Sequence, residues 1–321
     1  MYRRHRAMAS ADAIRVVTRG SSRWGPETTR PLRGQVALVA GGTRGAGRAI
    51  SVCLGMAGAM VYVTGRSTTG HPATPGRPET IDETAAMIRS RGGSAVAVRV
   101  DHSQEIEVRR LFERVRREQN GRLDILVNDI WGGEELTEWG RPFWELSPTK
   151  GRTMLGRAIR THILTSRYGV PLMVRRRRGW VFEVTDGDHD RYRGSLYYDL
   201  VKSTVIRLAR DMAEEFESRR LHRLSAMAVT PGFLRSEFML DQFGLTEENW
   251  RSGLLRPRVT GNHFFASETP YYLGRGIVAL AADPKARRRS GEVVGSWSLA
   301  KRYGFTDVDG TQPNWGKVFR G

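Results

Sequence analysis

Seven short apolar runs, separated by stretches of helical periodicity, restrict most strongly how this chain can fold. The runs occupy residues 35–42, 60–66, 94–101, 123–129, 180–186, 224–232 and 290–297. Segments with apolar residues at helical spacing lie between most of them. Strands that alternate with helices require a parallel sheet covered by helices on both faces. The sequence therefore predicts an α/β fold, a doubly wound sheet of about seven strands, in a single domain spanning residues 32–321.

The turn after the first run has the glycine pattern of a nucleotide site. In "AGGTRGAG", residues 40–47, three glycines stand between a predicted strand and a predicted helix. They let the backbone turn sharply and approach a pyrophosphate, while the helix N-terminus supplies amide donors and partial positive charge. The fold is therefore predicted to be of the Rossmann type. The residues predicted to contact the nucleotide here are Gly41, Thr43, Arg44, Gly45, Ala46 and Gly47.

A tyrosine and a lysine four residues apart form the candidate catalytic pair. The chain has only five lysines, at positions 150, 202, 285, 301 and 317, so Lys202 in "YYDLVK" is conspicuous. On a helix, Tyr198 and Lys202 share one face. A nearby ammonium favours the phenolate, which makes the tyrosine usable as an acid or base in carbonyl chemistry. Tyr197 lacks such a partner because Val201 follows it by four residues.

These motifs resemble the short-chain dehydrogenase/reductase family, whose turn reads T-G-x-x-x-G-x-G and whose catalytic pair reads Y-x-x-x-K. The resemblance covers about residues 33–310 and is that of a divergent branch. It implies that Tyr198 is the acid or base, that Lys202 contacts both the phenol and the cofactor ribose, and that the substrate is a carbonyl or an alcohol. It also implies cofactor contacts for Asp101, His102, Asn128, Pro231, Gly232 and Ser236.

Two family positions are occupied by other residues. The helix asparagine that holds a water against the lysine aligns with Ala158, and Thr161 or His162 could replace it from the next turn. The serine that donates to the substrate oxygen lies 12 or 13 residues before the tyrosine, which gives Asp186 or Thr185. Because an ionised aspartate cannot donate, we assign the role to Thr185 and place Asp186 at the pocket rim.

Cofactor choice rests on two arginines. NAD-selective relatives need an acid after the second strand to hold the ribose 2′-hydroxyl, and this chain has Gly65 and Arg66 there, with Arg44 in the glycine turn. Guanidinium groups suit a 2′-phosphate. The sequence therefore predicts NADP(H) as cofactor, while ordinary surface arginines are the alternative interpretation.

Composition limits the remaining function classes. A net charge of +18 would suit a polyanion, but the basic residues are spread along the chain and no nucleic-acid module is visible. Nucleic acid is thus an unfavoured partner, and no apolar run is long enough for a membrane span. A single cysteine, Cys53, favours a reducing, cytoplasmic compartment. The acidic run "DGDHD" (186–190) lacks the spacing of a calcium loop, and no metal site is predicted.

Residues 1–31 are basic, contain Ser, Thr, Gly and Pro, and lack a long apolar stretch, so we expect a disordered extension, with an organelle-directing presequence as the alternative.

The sequence predicts an NADP(H)-dependent oxidoreductase that moves hydride between nicotinamide and a carbonyl or secondary alcohol. The segments 131–144 and 233–270 are rich in aromatic and apolar residues and are expected to wall the site of a bulky substrate. A homo-oligomer is compatible with this function. The alternative is a nonenzymatic NADPH-binding sensor or scaffold that kept the fold and lost the proton relay.

Overall fold

All seven predicted runs form strands of one sheet. The structure, a computed structural model, describes residues 30–255 and 263–319. The strands are β1 Val36–Ala40, β2 Met60–Gly65, β3 Ser94–Arg99, β4 Ile125–Asn128, β5 Gly179–Val184, β6 Leu224–Thr230 and β7 Val293–Gly295. All pair in parallel, in the order β3-β2-β1-β4-β5-β6-β7. The order reverses between β1 and β4, which is where doubly wound sheets bind ligands.

Helices connect and cover the strands. They are α1 Gly45–Met56, α2 Ile81–Arg89, α3 Glu105–Glu118, α4 Pro148–Leu155, α5 Thr161–Arg176, α6 Leu196–Ser218, α7 Glu237–Gln242, α8 Pro270–Ala282, α9 Ser296–Tyr303 and α10 Trp315–Phe319. A π-helical turn, Gly156–Arg160, joins α4 to α5. The doubly wound α/β prediction is confirmed.

The core has two layers because the side chains of a strand point alternately to opposite faces. In β1, Ala37 and Val39 face one apolar cluster, which includes Ile50 of α1 and Ile277 of α8. The side chains of 36, 38 and 40 face a second cluster formed with α3, α5 and α6. Parallel strands buried on both faces explain why the runs read as continuous apolar segments.

The sequence misjudged several boundaries. The last predicted strand, 290–297, is only three residues long, because Ser296 already begins α9. The helical segment before β5 begins at Pro148, where Ser147 accepts a capping bond from the Lys150 amide, and it is interrupted by the π turn. Of the predicted extension, residues 1–29 lie outside the described residues. Within the described ranges, no helix is long and apolar enough to cross a membrane.

Candidate active site

A cleft of about 1120 Å³ opens at the carboxyl ends of β1, β4, β5 and β6. This edge includes the switch point between β1 and β4. Fourteen residues selected from the sequence line it: Gly41, Thr43, Arg44, Gly45, Ala46, Arg66, Asp101, His102, Thr185, Tyr198, Lys202, Pro231, Gly232 and Ser236. The structure thus brings together most of the predicted cofactor and catalytic positions.

The glycine turn is tight for a steric reason. Gly41 has a φ of +94°, and a Cβ at this position would lie 2.2 Å from the carbonyl oxygen of Asp129. A Cβ on Gly47 would lie 2.3 Å from the Gly41 oxygen. Gly47 therefore serves the packing of α1 against the turn, and unlike Gly41 and Gly45 it is not among the residues that line the cleft.

Two carboxyl groups accept hydrogen bonds from main-chain amides at the start of α1. Glu237 accepts a hydrogen bond from the Gly45 amide at 2.8 Å, and the Asp129 carboxyl accepts one from the Gly47 amide. Burial raises the pKa of Asp129 to about 7, although the Lys202 ammonium opposes this shift. The first turn of α1 is therefore an anion-binding position in this structure, as its dipole and free amides predict.

The two arginines proposed for a 2′-phosphate are in different situations. Arg44 is paired with Glu79 at 3.2 Å and lies within 3.5 Å of the Thr74 hydroxyl. Arg66 lines the cleft and makes no ion pair with any residue of 30–255 or 263–319. Asp101 accepts bonds from the Ser103 amide and hydroxyl, at 2.9 and 2.7 Å.

Two predicted cofactor contacts have structural roles instead. Asn128 is fully buried, and its amide donates to Glu183 at 2.7 Å and to Ser166 at 2.9 Å, so it stabilises the sheet interior and does not line the cleft. His102 borders the cleft but is 4 % exposed, with its ring nitrogens 2.8 Å from the hydroxyls of Thr64 and Thr165. Burial lowers its pKa to about 3, which keeps the ring neutral.

The catalytic pair lies on the first two turns of α6, among aromatic rings. The ring of Tyr198 packs against Trp131, with centroids 5.5 Å apart, and against Trp139 at 5.0 Å. The Lys202 ammonium lies 4.2 Å from the Trp131 ring centroid and 5.4 Å from that of Tyr198. Burial lowers the pKa of Lys202, while Asp186 and other carboxylates oppose the shift. Tyrosine and lysine therefore share a partly enclosed, aromatic environment, as the i, i+4 spacing predicts.

Contacts beside the phenol are the reverse of the sequence assignment. The Tyr198 hydroxyl donates to Asp186 Oδ2 at 2.8 Å, whereas the Thr185 hydroxyl donates to the main-chain oxygen of Lys202 at 2.8 Å. Burial and then the Asp186 charge raise the pKa of Tyr198 well above its ordinary value. In this structure Asp186, which was predicted at the pocket rim, contacts the phenol, while Thr185 as the substrate donor stays a prediction.

A buried polar network lies near Ala158, the residue that aligns with the family asparagine. Ala158 lies in the π turn, and the Thr161 hydroxyl donates back to the Arg157 carbonyl at 2.6 Å. His162 is close to Glu183, with Nδ1 2.6 Å from Oε2, and its Nε2 is 3.0 Å from the Ile130 oxygen. A small cavity of about 10 Å³, roughly the space of one water, is bordered by Ala158, His162 and Lys202. Of the two proposed substitutes, only His162 borders this cavity.

Both predicted wall segments contribute to the cleft. The first supplies Trp131, Gly132, Glu134, Thr137 and Trp139, and the second supplies residues such as Phe233, Phe238, Phe243 and His263. The rings of Phe233, His263 and Trp315 stack on one another at 5.1 to 6.1 Å. Trp144, also in the first segment, is 72 % exposed and lies away from this wall.

Sequence reasoning missed three acidic residues of the cleft. Asp129 stood in "NDIWGG" where the family has its second asparagine, so a signal for it was present. Glu134 and Glu237 lie in the two segments predicted to wall the site but were not singled out there. Only folding brings Glu237 to Gly45, 192 residues earlier in the chain. Among the described residues, no group of His, Cys, Asp and Glu is arranged to hold a metal ion.

Comparisons with known proteins agree with this geometry. The short chain dehydrogenase family model matches residues 35–244. Dehydrogenase/reductase SDR family member 1 of Mus musculus is 37 % identical over 282 residues, which cover 87 % of this chain and 85 % of that protein.

Solved structures show the same fold. A Burkholderia xenovorans structure assigned to the short-chain dehydrogenase/reductases superimposes with a TM-score of 0.68 at 23 % identity, covering 84 % of this chain and 96 % of that one. A Beutenbergia cavernae structure that holds NADP at low occupancy gives a TM-score of 0.64 at 22 % identity, with coverages of 84 % and 97 %.

Proposed function

This chain belongs to the short-chain dehydrogenase/reductase family of nicotinamide-dependent oxidoreductases, and from that membership we propose that it transfers hydride between NADP(H) and a carbonyl or secondary alcohol. The observation that carries the proposal is the position of Tyr198 and Lys202. They lie on one helix face, in the same cleft as the glycine turn.

The described residues fit a dinucleotide. The Gly41 position would be filled by any side chain, and the first turn of α1 already holds carboxylates where the pyrophosphate would bind. Bound there, the cofactor supplies or accepts the hydride. The phosphates would be held by the amides of Gly45 and Ala46, the ribose by Lys202, and the carboxamide end by the turn at Pro231 and Gly232.

Preference for NADP(H) is proposed on charge. Arg66 follows β2 at the position where an acid would select NAD, and it has no ion-pair partner in the described part of the chain. Arg44 lies on the same side of the cleft, although Glu79 shares its guanidinium. A 2′-phosphate would supply the ion-pair partner that Arg66 does not have among the described residues, and it would compete with Glu79 for Arg44.

In the reduction direction, Tyr198 donates its phenolic proton to the substrate oxygen as negative charge develops there. Lys202 stabilises the resulting phenolate with its ammonium group, which lies over the edge of the same aromatic cluster. Trp131 and Trp139 fix the phenol ring and shield it from solvent. In the oxidation direction the same groups act in reverse.

The test measures NADPH binding and NADPH oxidation separately, across a panel of ketones and aldehydes and from about pH 5 to 9. We expect tight cofactor binding and turnover of at least one carbonyl class. Cofactor binding without turnover of any carbonyl would instead favour the nonenzymatic NADPH-binding protein. The raised pKa of Tyr198, caused by burial and by Asp186, is the observation that keeps this second function in view.

A further inference from the structure

Asp186 puts a carboxylate beside the phenol, at one of the two positions that could correspond to the family serine. Its Oδ2 accepts the Tyr198 hydrogen bond at 2.8 Å. An ionised carboxylate cannot donate to a substrate oxygen, and it opposes negative charge that develops on that oxygen or on the phenol. A neutral ketone would therefore meet a poor proton donor beside a repelling charge. A cation in direct contact with Asp186 would remove both obstacles.

Lys202 interacts electrostatically with Asp186, but no cation of the described residues contacts its carboxylate. No described Lys, Arg or His forms an ion pair with the Asp186 carboxylate. Arg193 is nearby, but its guanidinium donates to the main-chain oxygen of Asp186 and pairs with Asp199 at 2.7 Å. The Lys202 ammonium lies over Trp131. In a chain with a net charge of +18, an active-site carboxylate that makes no ion pair with any described residue points to an ion-pair partner brought by the substrate.

The surroundings of Asp186 suit a cationic group. Glu134 is a second carboxylate of the same cleft, and it too has no ion pair with any described residue. Trp139 packs on the Tyr198 ring and is 58 % exposed, so its indole ring is accessible to a ligand. Carboxylates combined with accessible aromatic faces attract ammonium groups by charge and by cation–π contact.

We propose that the substrate carries a protonated amine within a few atoms of its carbonyl or alcohol carbon, and that Asp186 selects it. This inference rests on the proposed oxidoreductase function. The ammonium forms a salt bridge with Asp186, and no covalent bond changes in this step. The ammonium then replaces the Tyr198 hydroxyl as the hydrogen-bond donor to Asp186. The phenol is thereby released to donate to the substrate oxygen. In the reduction that follows, the carbonyl carbon gains hydride from NADPH, its oxygen gains the Tyr198 proton, and NADP⁺ is formed.

The test compares two ketones of nearly equal shape with the full chain and NADPH. One is dimethylaminopropiophenone, protonated at neutral pH, and the other is its carbon isostere isocaprophenone. We expect kcat/KM to be about 10 to 100-fold higher for the amine, the scale of one charge-assisted hydrogen bond in a partly desolvated site. In Asp186→Ser, which restores the family hydroxyl, the preference should disappear and isocaprophenone turnover should rise.

A binding measurement gives a second readout that needs no turnover. Titration of the NADP⁺ complex with dimethylaminopropiophenone should show at least roughly tenfold weaker binding in Asp186→Asn, while isocaprophenone binding stays the same. Asp190→Asn is the matched control, because Asp190 is an exposed carboxylate of the same loop. Circular dichroism and NADPH affinity confirm that each variant is folded.

Each outcome decides between the two proposals. Equal kcat/KM for both ketones in the wild type, or amine binding unaffected by Asp186→Asn, would overturn the amine inference and leave the oxidoreductase function intact. Amine binding that depends on Asp186, with no turnover of any carbonyl, would support the amine site and count against the oxidoreductase function. Asp186→Ser and Asp186→Asn are read independently, so a folding failure in one leaves the other decisive.

Discussion

The cofactor half and the catalytic half of the cleft are built on different principles. In the cofactor half, the main chain forms most of the predicted binding surface. The turn at Gly41 is too tight for a side chain, and the amides at the start of α1 bind carboxylates. In the catalytic half, side chains determine the environment of the phenol: Asp186 accepts its hydrogen bond, and Ala158 lies in the π turn of the neighbouring helical segment. The comparison teaches that this chain keeps the cofactor geometry while it changes the electrostatics around the reacting group.

The largest effect is expected for Tyr198→Phe, which should lower turnover without changing cofactor affinity. Tyr198→Phe keeps the ring that packs on Trp131 and Trp139 and removes only the hydroxyl. We expect turnover to fall on the order of a thousandfold, since a general acid contributes about 10² to 10⁴, while the Kd for NADPH stays the same. Steady-state kinetics and cofactor titration measure both, with Tyr197→Phe as the matched control. A parallel loss of cofactor affinity would show that the halves are coupled.

The next effect concerns only the cofactor half. NADPH is expected to bind at least roughly tenfold more tightly than NADH, about 1.4 kcal/mol. Arg66→Ala should remove most of this difference, because Arg66 has no described ion-pair partner to hold its charge. Fluorescence titration of both cofactors checks this, with Arg99→Ala as a control from the end of the neighbouring strand β3. Equal affinities in the wild type would refute the NADP(H) assignment.

Substitution of Thr185 tests whether this residue or Asp186 contributes to catalysis beside the phenol. Its hydroxyl donates to the Lys202 carbonyl, so Thr185→Val should cost about 1 kcal/mol of unfolding free energy and less than about tenfold in kcat/KM. Denaturant unfolding and kinetics give the two numbers. A loss on the order of a hundredfold in turnover, as expected for a donor to a charge-developing oxygen, would return the catalytic role to Thr185.

Asp129 lies near groups of both halves of the cleft, and its raised pKa should make the stability of the protein depend on pH. Its pKa is raised from 3.8 to about 7, mainly by burial, and Lys202, His162, Glu134 and the Gly47 amide surround it. The folded state thus binds more protons than the unfolded state between these values. The resulting stability is present below about pH 4 and is lost as pH rises to about 7.

The matched experiment uses Asp129→Asn, which restores the family residue. The melting temperature of the wild type relative to the variant should fall as pH rises from about 5 to 7.5. Above pH 7, ionised Asp129 should also repel the cofactor phosphates, so the wild-type Kd for NADPH should weaken a few-fold where that of the variant does not. Parallel pH curves for the two proteins would contradict the assignment.

The smallest expected effect lies outside both halves. Leu32 is fully buried and its amide donates to the Ala57 carbonyl at 2.9 Å, so this residue is anchored in the domain. A chain that starts at Pro31 should keep its melting temperature and its cofactor affinity. A drop in either would mean that residues 1–30 stabilise the domain or a neighbouring subunit.

By itself, the sequence determined the doubly wound parallel sheet, the glycine turn after the first strand and the Tyr198–Lys202 pair. These depend on local rules: apolar periodicity, the steric freedom of glycine and the i, i+4 spacing of a helix.

Only the tertiary structure decided which carboxylates reach the site and which predicted residues lie outside it. Glu237 meets Gly45 across 192 residues, and Asn128 turns to Glu183 across 55. Thr185 and Asp186 are adjacent, so their spacing from Tyr198 could not separate them. The direction of each side chain at the end of β5, and the packing of α6 against it, gave the carboxylate to the phenol and the hydroxyl to the main chain.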